Sequence, residues 1–244
     1  MKSGPPPCRA PVVLCVMVLA VAIFPAKVPA EDAPASPHKT TRYGFVRDWL
    51  RLGPIAYGRQ RGDPMQGHPI NYDKLKAQGL TDPTWKDYLG GDWRIAPRAN
   101  DAGAGLVWRR FHAAGDRIQL DAEKDYVLNY LVTYVWSPRD IREAALYCGS
   151  DDFVEVLVNG ECVHVYKNER RGLLPGDEIR NVHFRKGWNV IRLKVVDVTH
   201  GYEFFLCAVD EKGTPMAGLP VTLDPPAGLV FCDCLLYTSP SPRD

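Results

Sequence analysis

Phe153-Val-Glu-Val-Leu-Val-Asn-Gly-Glu-Cys-Val-His-Val-Tyr166 is a pair of short β-branched runs joined by Asn159-Gly160. Asn-Gly tolerates the positive φ angles that a two-residue type I′ turn demands, so the stretch reads as strand, turn, strand. With Val158 opposite Glu161, an unbroken ladder sets Val156 against Val163 and Val154 against Val165. The other face then carries Glu155 against His164 and Leu157 against Cys162. One apolar face and one mixed face predict a sheet buried on one side.

The same period continues outward. Downstream, Ile179 to Phe184 reads as a strand and Lys186-Gly-Trp-Asn189 as a turn. In the strand Val190 to Val196, Ile191, Leu193 and Val195 alternate with Val190, Arg192, Lys194 and Val196. Tyr202 to Val209 is the last strong strand; the turn Asp210 to Gly213 follows, and Pro220 to Pro226 reads as the exit. Upstream, Glu143 to Cys148 precedes a Gly149-Ser-Asp-Asp152 turn. Tyr126 to Trp136 is aromatic and β-branched, as a central buried strand should be, and Pro138 closes it. Ile118 to Leu120, Leu106 to Phe111 and Phe45 to Leu52 complete the set, the last ending at a Gly53-Pro54 turn. Residues 56–104 are rich in Gly, Pro, Asp and Asn, and only Tyr72 to Gln78 suggests a short helix. Eight or nine closely spaced strands with almost no helix predict an all-β antiparallel sandwich of the jelly-roll kind.

The ends read differently. Residues 1–30 have a positive start (Lys2, Arg9), an apolar run from Val12 to Phe24 and small residues at Val28-Pro-Ala30, which is the pattern of a secretory signal peptide. The run is shorter than the ~20 residues that span a bilayer, so no membrane anchor is expected after cleavage, and the protein is expected outside the cell, in the periplasm or at the cell surface. Residues 31–42 are a Pro/Ala/Ser-rich linker, and 43–226 are the module. Residues 227–233 start a further region, and Cys234 to Asp244 resembles the in-frame translation of a sequencing adapter, so a downstream catalytic domain is an expected partner.

Removing Lys2, Arg9, Lys27 and Arg243 from the 30 basic residues, and Asp244 from the 29 acidic ones, leaves a slightly acidic module. Nothing in that balance suits nucleic acid or an anionic membrane. With Cys8, Cys15 and Cys234 set aside, Cys148, Cys162, Cys207 and Cys232 remain, and three disulfide pairings stay open. His112, His164, His183 and His200 show no metal-ligand spacing. No zinc-protease helix, nucleophile elbow or phosphate loop occurs, so the fragment is not read as an enzyme. Arg61-Gly-Asp63 is a tripeptide too short to carry meaning.

Gly149-Ser-Asp-Asp152, Val158-Asn-Gly160, Arg171-Gly172 and Lys186-Gly-Trp-Asn189, in this order, resemble galactose-binding-like jelly-roll modules attached to secreted bacterial glycoside hydrolases. They are also similar to protective-antigen-type sugar-binding domains. The resemblance implies a sandwich that binds polysaccharide or another glycan, with Asp151 and Asp152 as calcium ligands. Phe153 stands where related turns usually carry Gly, and its bulk is expected to crowd that site. Trp108, Trp136 and Trp188 read as core and Trp49 as either core or surface. Trp85 and Trp93, in the irregular region, are the expected stacking platforms for sugar rings. Three roles follow: a glycan-binding accessory module, the non-catalytic N-terminal domain of a truncated hydrolase, or an adhesion domain without sugar binding.

Overall fold

The computed structural model describes residues 33–57, 88–89, 96–121, 123–167, 171–227 and 229. Within them the chain is all β. In order it forms β1 (His38–Lys39), β2 (Asp48–Ala56), β3 (Ala102–Gly103), β4 (Leu106–Val107), β5 (Arg109–His112), β6 (Ile118–Gln119) and β7 (Val127–Ser137). It continues through β8 (Ile141–Asp151), β9 (Phe153–Val158), β10 (Glu161–Tyr166), β11 (Asp177–Phe184), β12 (Gly187–Asp197), β13 (Glu203–Val209) and β14 (Pro220–Thr222). All pairings are antiparallel. One sheet runs β1-β14-β7-β12-β9-β10, with β2 also on β7 and β5 outside β2. The facing sheet runs β11-β8-β13-β6. The fold is an antiparallel β-sandwich.

β7 is the strand that the rest is built on. Val127, Leu131 and Val135 point into the core between the sheets, where they meet Ile191, Leu193 and Phe204. Leu128, Tyr130, Val132 and Tyr134 point the other way, into a second apolar layer with Leu89 and Trp108. The larger sheet is therefore covered on both faces, whereas the alternating pattern had predicted cover on one. Arg192 and Lys194, on the outer side of β12, are each 4% exposed for this reason.

Several elements differ from the sequence reading. β2 does not stop at Gly53-Pro54; its pairing with β7 slips between Leu52 and Ile55 and then resumes. Gly149 to Asp151 belong to β8, and only Asp152 separates β8 from β9. Gly187 to Asn189 are already paired with β7, as the start of β12. His38–Lys39 and Pro220–Thr222, read as linker and exit, pair with each other. Elements of two or three residues are too short to show a period of two. The expected helix at Tyr72 to Gln78 and the Arg61-Gly-Asp63 tripeptide lie outside the described residues.

The Asn159-Gly160 hairpin forms with both residues at positive φ (53° and 88°), but its register is not the unbroken one. Cys162 faces Leu157 as expected; the ladder then slips, so that His164 faces Val156, Val165 faces Glu155 and Tyr166 faces Val154. Val163 is the extra residue of a β-bulge. β10 is an edge strand, where a bulge disturbs one ladder instead of two, and it re-aims the side chains beyond it. His164 Nε2 thereby lies 2.9 Å from Asp177 Oδ2. The two sequence landmarks also meet: Asn159 Nδ2 donates to Asn189 Oδ1 at 2.8 Å, and Asn189 in turn accepts from the N–H of Arg185.

Asp177 gathers the charges beside the bulge. Burial pushes its carboxyl up, but hydrogen bonds from Arg171 and His164 outweigh this and hold it below its ordinary value. A carboxylate with a depressed folded pKa contributes stability above its unfolded value of about 3.9 and loses it as pH falls through the folded one. Thermal melts from pH 6 to pH 2.5 should therefore show Asp177→Asn less sensitive to acid than the parent below about pH 4. Identical slopes would remove Asp177 from the acid response.

Cys148, Cys162 and Cys207 are free, which excludes disulfides among these three; Cys232 lies outside the described residues. Burial pushes the Cys148 thiol up to about 12 and that of Cys207 to about 11. Both are poor nucleophiles in the folded state.

Candidate functional site

At one end of the sandwich three strand ends deliver carboxylates to the same place. β8 ends on Asp151, Asp152 bridges to β9, and β12 ends on Asp197. Asp151 is half-buried, Asp152 is 1% exposed and Asp197 is fully buried. One oxygen from each lies within 4.8 Å of the others. The Asp151–Asp152 peptide is cis.

The backbone around them is fixed. The N–H of Asp152 donates to Val196 O at 3.0 Å, and Asp152 Oδ2 accepts from the N–H of Val198 at 2.9 Å. Tyr57 Oη donates to the carbonyl of Asp197 at 2.7 Å. Gly201 leaves the space that Asp151 occupies, since a Cβ there would sit 2.3 Å from Asp151 Oδ2. Glu203, opposite Asp151 on β13, is engaged by Arg117. It therefore stands outside the triad.

Three carboxylates this close repel one another when ionised, and an all-oxygen, hard, anionic set matches calcium or another hard divalent cation. The residues therefore fit a calcium ion, with Asp151, Asp152 and Asp197 as the side chains that would hold it. Of these, the sequence pointed to the first two. Asp197 was missed because its only signal is position, as the first charged residue after the apolar run Val195-Val196. Phe153 does not crowd the triad. Strand alternation turns its ring into the outer apolar layer, away from the core-facing Val154.

A cavity of about 170 Å³ opens on the outer face of the larger sheet. Its walls include Leu89, Trp108 and Tyr130, and its polar groups are Glu155, Arg192 and Lys194. Lys194 stands between Tyr130 and Glu155 in the ladder, three residues from Asp197, or about 10 Å along β12. Burial lowers the Arg192 guanidinium to about 10, against the opposing field of Tyr134. A space of this order holds a single ring, since a cavity of about 150 Å³ accepts benzene. Trp108, expected in the core, is buried and also lines this cavity. Trp49, Trp136 and Trp188 are buried or half-buried. Trp85 and Trp93 lie outside the described residues.

No protein family and no curated protein matches the chain. Solved structures with some likeness include the A domain of epithelial adhesin 9 from Candida glabrata, in complex with Galb1-4GlcNAc. It is 12% identical, covers 79% of this chain and 100% of its own, and has a TM-score of 0.41. The PA14 domain of the antifreeze protein MpAFP is 13% identical over 80% of this chain and 93% of its own, at a TM-score of 0.32. A β-glucosidase from Kluyveromyces marxianus is 13% identical over 48% of this chain, at 0.36, and the chain spans only 15% of that enzyme. Scores this low identify neither a relative nor a ligand. Among the described residues no helix is long and apolar enough to cross a membrane.

Proposed function

We propose that the chain is a non-catalytic carbohydrate-binding module of an exported protein, with calcium at Asp151, Asp152 and Asp197 and a glycan beside it. The observation that carries this reading is the convergence of three carboxylates from three strand ends at one end of the sandwich. Calcium, when bound, supplies a hard cation for sugar hydroxyl oxygens. The chain's own residues hold that position: Val198 fixes Asp152, Gly201 leaves room for Asp151, and Tyr57 anchors the backbone of Asp197. Trp85 and Trp93 are the proposed stacking residues, since indole faces match the apolar faces of pyranose rings.

The test is a glycan panel probed with purified protein in calcium and again in chelator. Binding to at least one glycan in calcium, lost in chelator and in Asp197→Asn, is the expected result. Trp85→Ala or Trp93→Ala should weaken binding without moving the melting temperature. Flat curves across the panel would remove the sugar, and equal melting temperatures with and without chelator would remove the calcium.

A further inference from the structure

By spacing alone the histidines carry no metal motif, but the fold assembles one from three strands. β2 and β14 lie end to end along the same edge of β7, β2 against Val127 to Val132 and β14 against Tyr134 and Val135. Outside them lie β5 and β1, so two rows of strands meet at a seam. Asp48 opens β2 and faces His112, the last residue of β5, as its ladder partner. His38 opens β1 and reaches in from the other row. The Nδ1 atoms of His38 and His112 lie 2.8 Å and 2.7 Å from the same oxygen, Asp48 Oδ1. The two rings are 6.5 Å apart, with their planes inclined by 33°.

We propose that His38, Asp48 and His112 form a site for a divalent transition-metal ion of the zinc type, separate from the carboxylate triad. Two imidazole nitrogens and one carboxylate oxygen are a borderline donor set that zinc accepts with a fourth position left open. Calcium, which takes oxygen, has little use for it. The carboxylate is fixed: Asp48 is 3% exposed, buried at the seam. Access is through the histidines, whose side chains are 31% and 66% exposed. Tetrahedral ligation with bonds of about 2.0–2.1 Å sets donor atoms roughly 3.3 Å apart, so each imidazole needs to retreat by about half an ångström. The exposed His112 has room to do so. Bound metal would tie β1 to β2 and β5, joining the two rows across the seam.

The experiment is a zinc titration of the full chain, stripped with chelator and then freed of it, followed by calorimetry. Cobalt(II) is titrated in parallel for its visible absorption bands. His112→Ala and His38→Ala are compared with the parent, and Asp197→Asn serves as the control for the triad. The expected result is one zinc whose affinity falls at least about tenfold in each histidine variant, since even outer-shell partners of a metal are worth about 10–100-fold. The same zinc should persist in Asp197→Asn and in millimolar calcium. Because His112 is exposed, its variant should keep the parent's circular dichroism, so lost binding reads as a lost ligand. No zinc uptake by the parent, equal uptake by parent and both histidine variants, or displacement of the zinc by calcium would each overturn the site.

Discussion

Replacing Trp49 with alanine is expected to cost about 3–5 kcal/mol of folding stability, a large part of the ~5–15 kcal/mol that holds a domain together. The indole is fully buried in the core between the sheets. It projects from β2 in one sheet onto Phe204 of β13 in the other, edge to face, with centroids 5.6 Å apart and planes at 73°. Its Nε1–H donates to the carbonyl of Val46 at 3.2 Å. Alanine there leaves a void facing both sheets, and the surrounding strands, held in register, cannot collapse into it. Trp49→Phe keeps most of the apolar contact and gives up the hydrogen bond, so about 1–2 kcal/mol is expected. Urea unfolding of the three proteins measures both numbers. A loss below 1 kcal/mol for Trp49→Ala would show that this ring does not join the sheets.

Arg171→Ala is expected to cost about 2–3 kcal/mol of folding stability. Its guanidinium grips Asp177 with two bonds, of 2.9 Å and 2.7 Å, and reaches Ser150 Oγ at 3.3 Å. It also lies 3.6 Å above the centre of the Tyr166 ring. The arginine side chain is 12% exposed and Asp177 24% exposed, so removal leaves a mostly buried carboxylate with His164 in place of the two-pronged guanidinium. The range sits below that of a fully buried pair because water still reaches Asp177. Lysine should not rescue, since a point charge cannot make the fork or lie flat on the ring. A double-mutant cycle with Asp177→Asn separates the pair from the ring contact; coupling near zero would mean that Tyr166 carries the effect. Ser150 directly precedes Asp151, so loss of Arg171 should also loosen the triad.

What the sequence made legible was what neighbours in the chain decide. The Asn159-Gly160 hairpin, the long buried strand at 127–137 and the alternation in 190–196 follow from turn chemistry and a period of two, which act over a few residues. The bulge at Val163 was invisible, because the run Cys162 to Tyr166 carries no break of its own to mark the extra residue. Gly149-Ser-Asp-Asp152 has the composition of a turn, yet pairing with β13 draws its first three residues into β8. Arg192 and Lys194 carry no sign in the sequence that a second layer covers them. The sites divide in the same way. Asp151 and Asp152 are adjacent and stood out; Asp197 joins them only because β12 ends beside the start of β9. His38, Asp48 and His112 belong to three strands whose meeting at one seam is a property of the topology alone.

The pairing of β1 with β14 has a mechanical meaning. Their register, His38 with Val221 and Lys39 with Pro220, places the incoming and outgoing ends of the fold side by side at the same end of a two-rung ladder. Tension applied through the flanking chain would therefore peel these strands apart one rung after another, instead of shearing many hydrogen bonds at once. Such a contact yields at low force while the sandwich behind it keeps its shape. A metal clamp holding His38 to Asp48 and His112 would move that load from the frail ladder onto coordinate bonds.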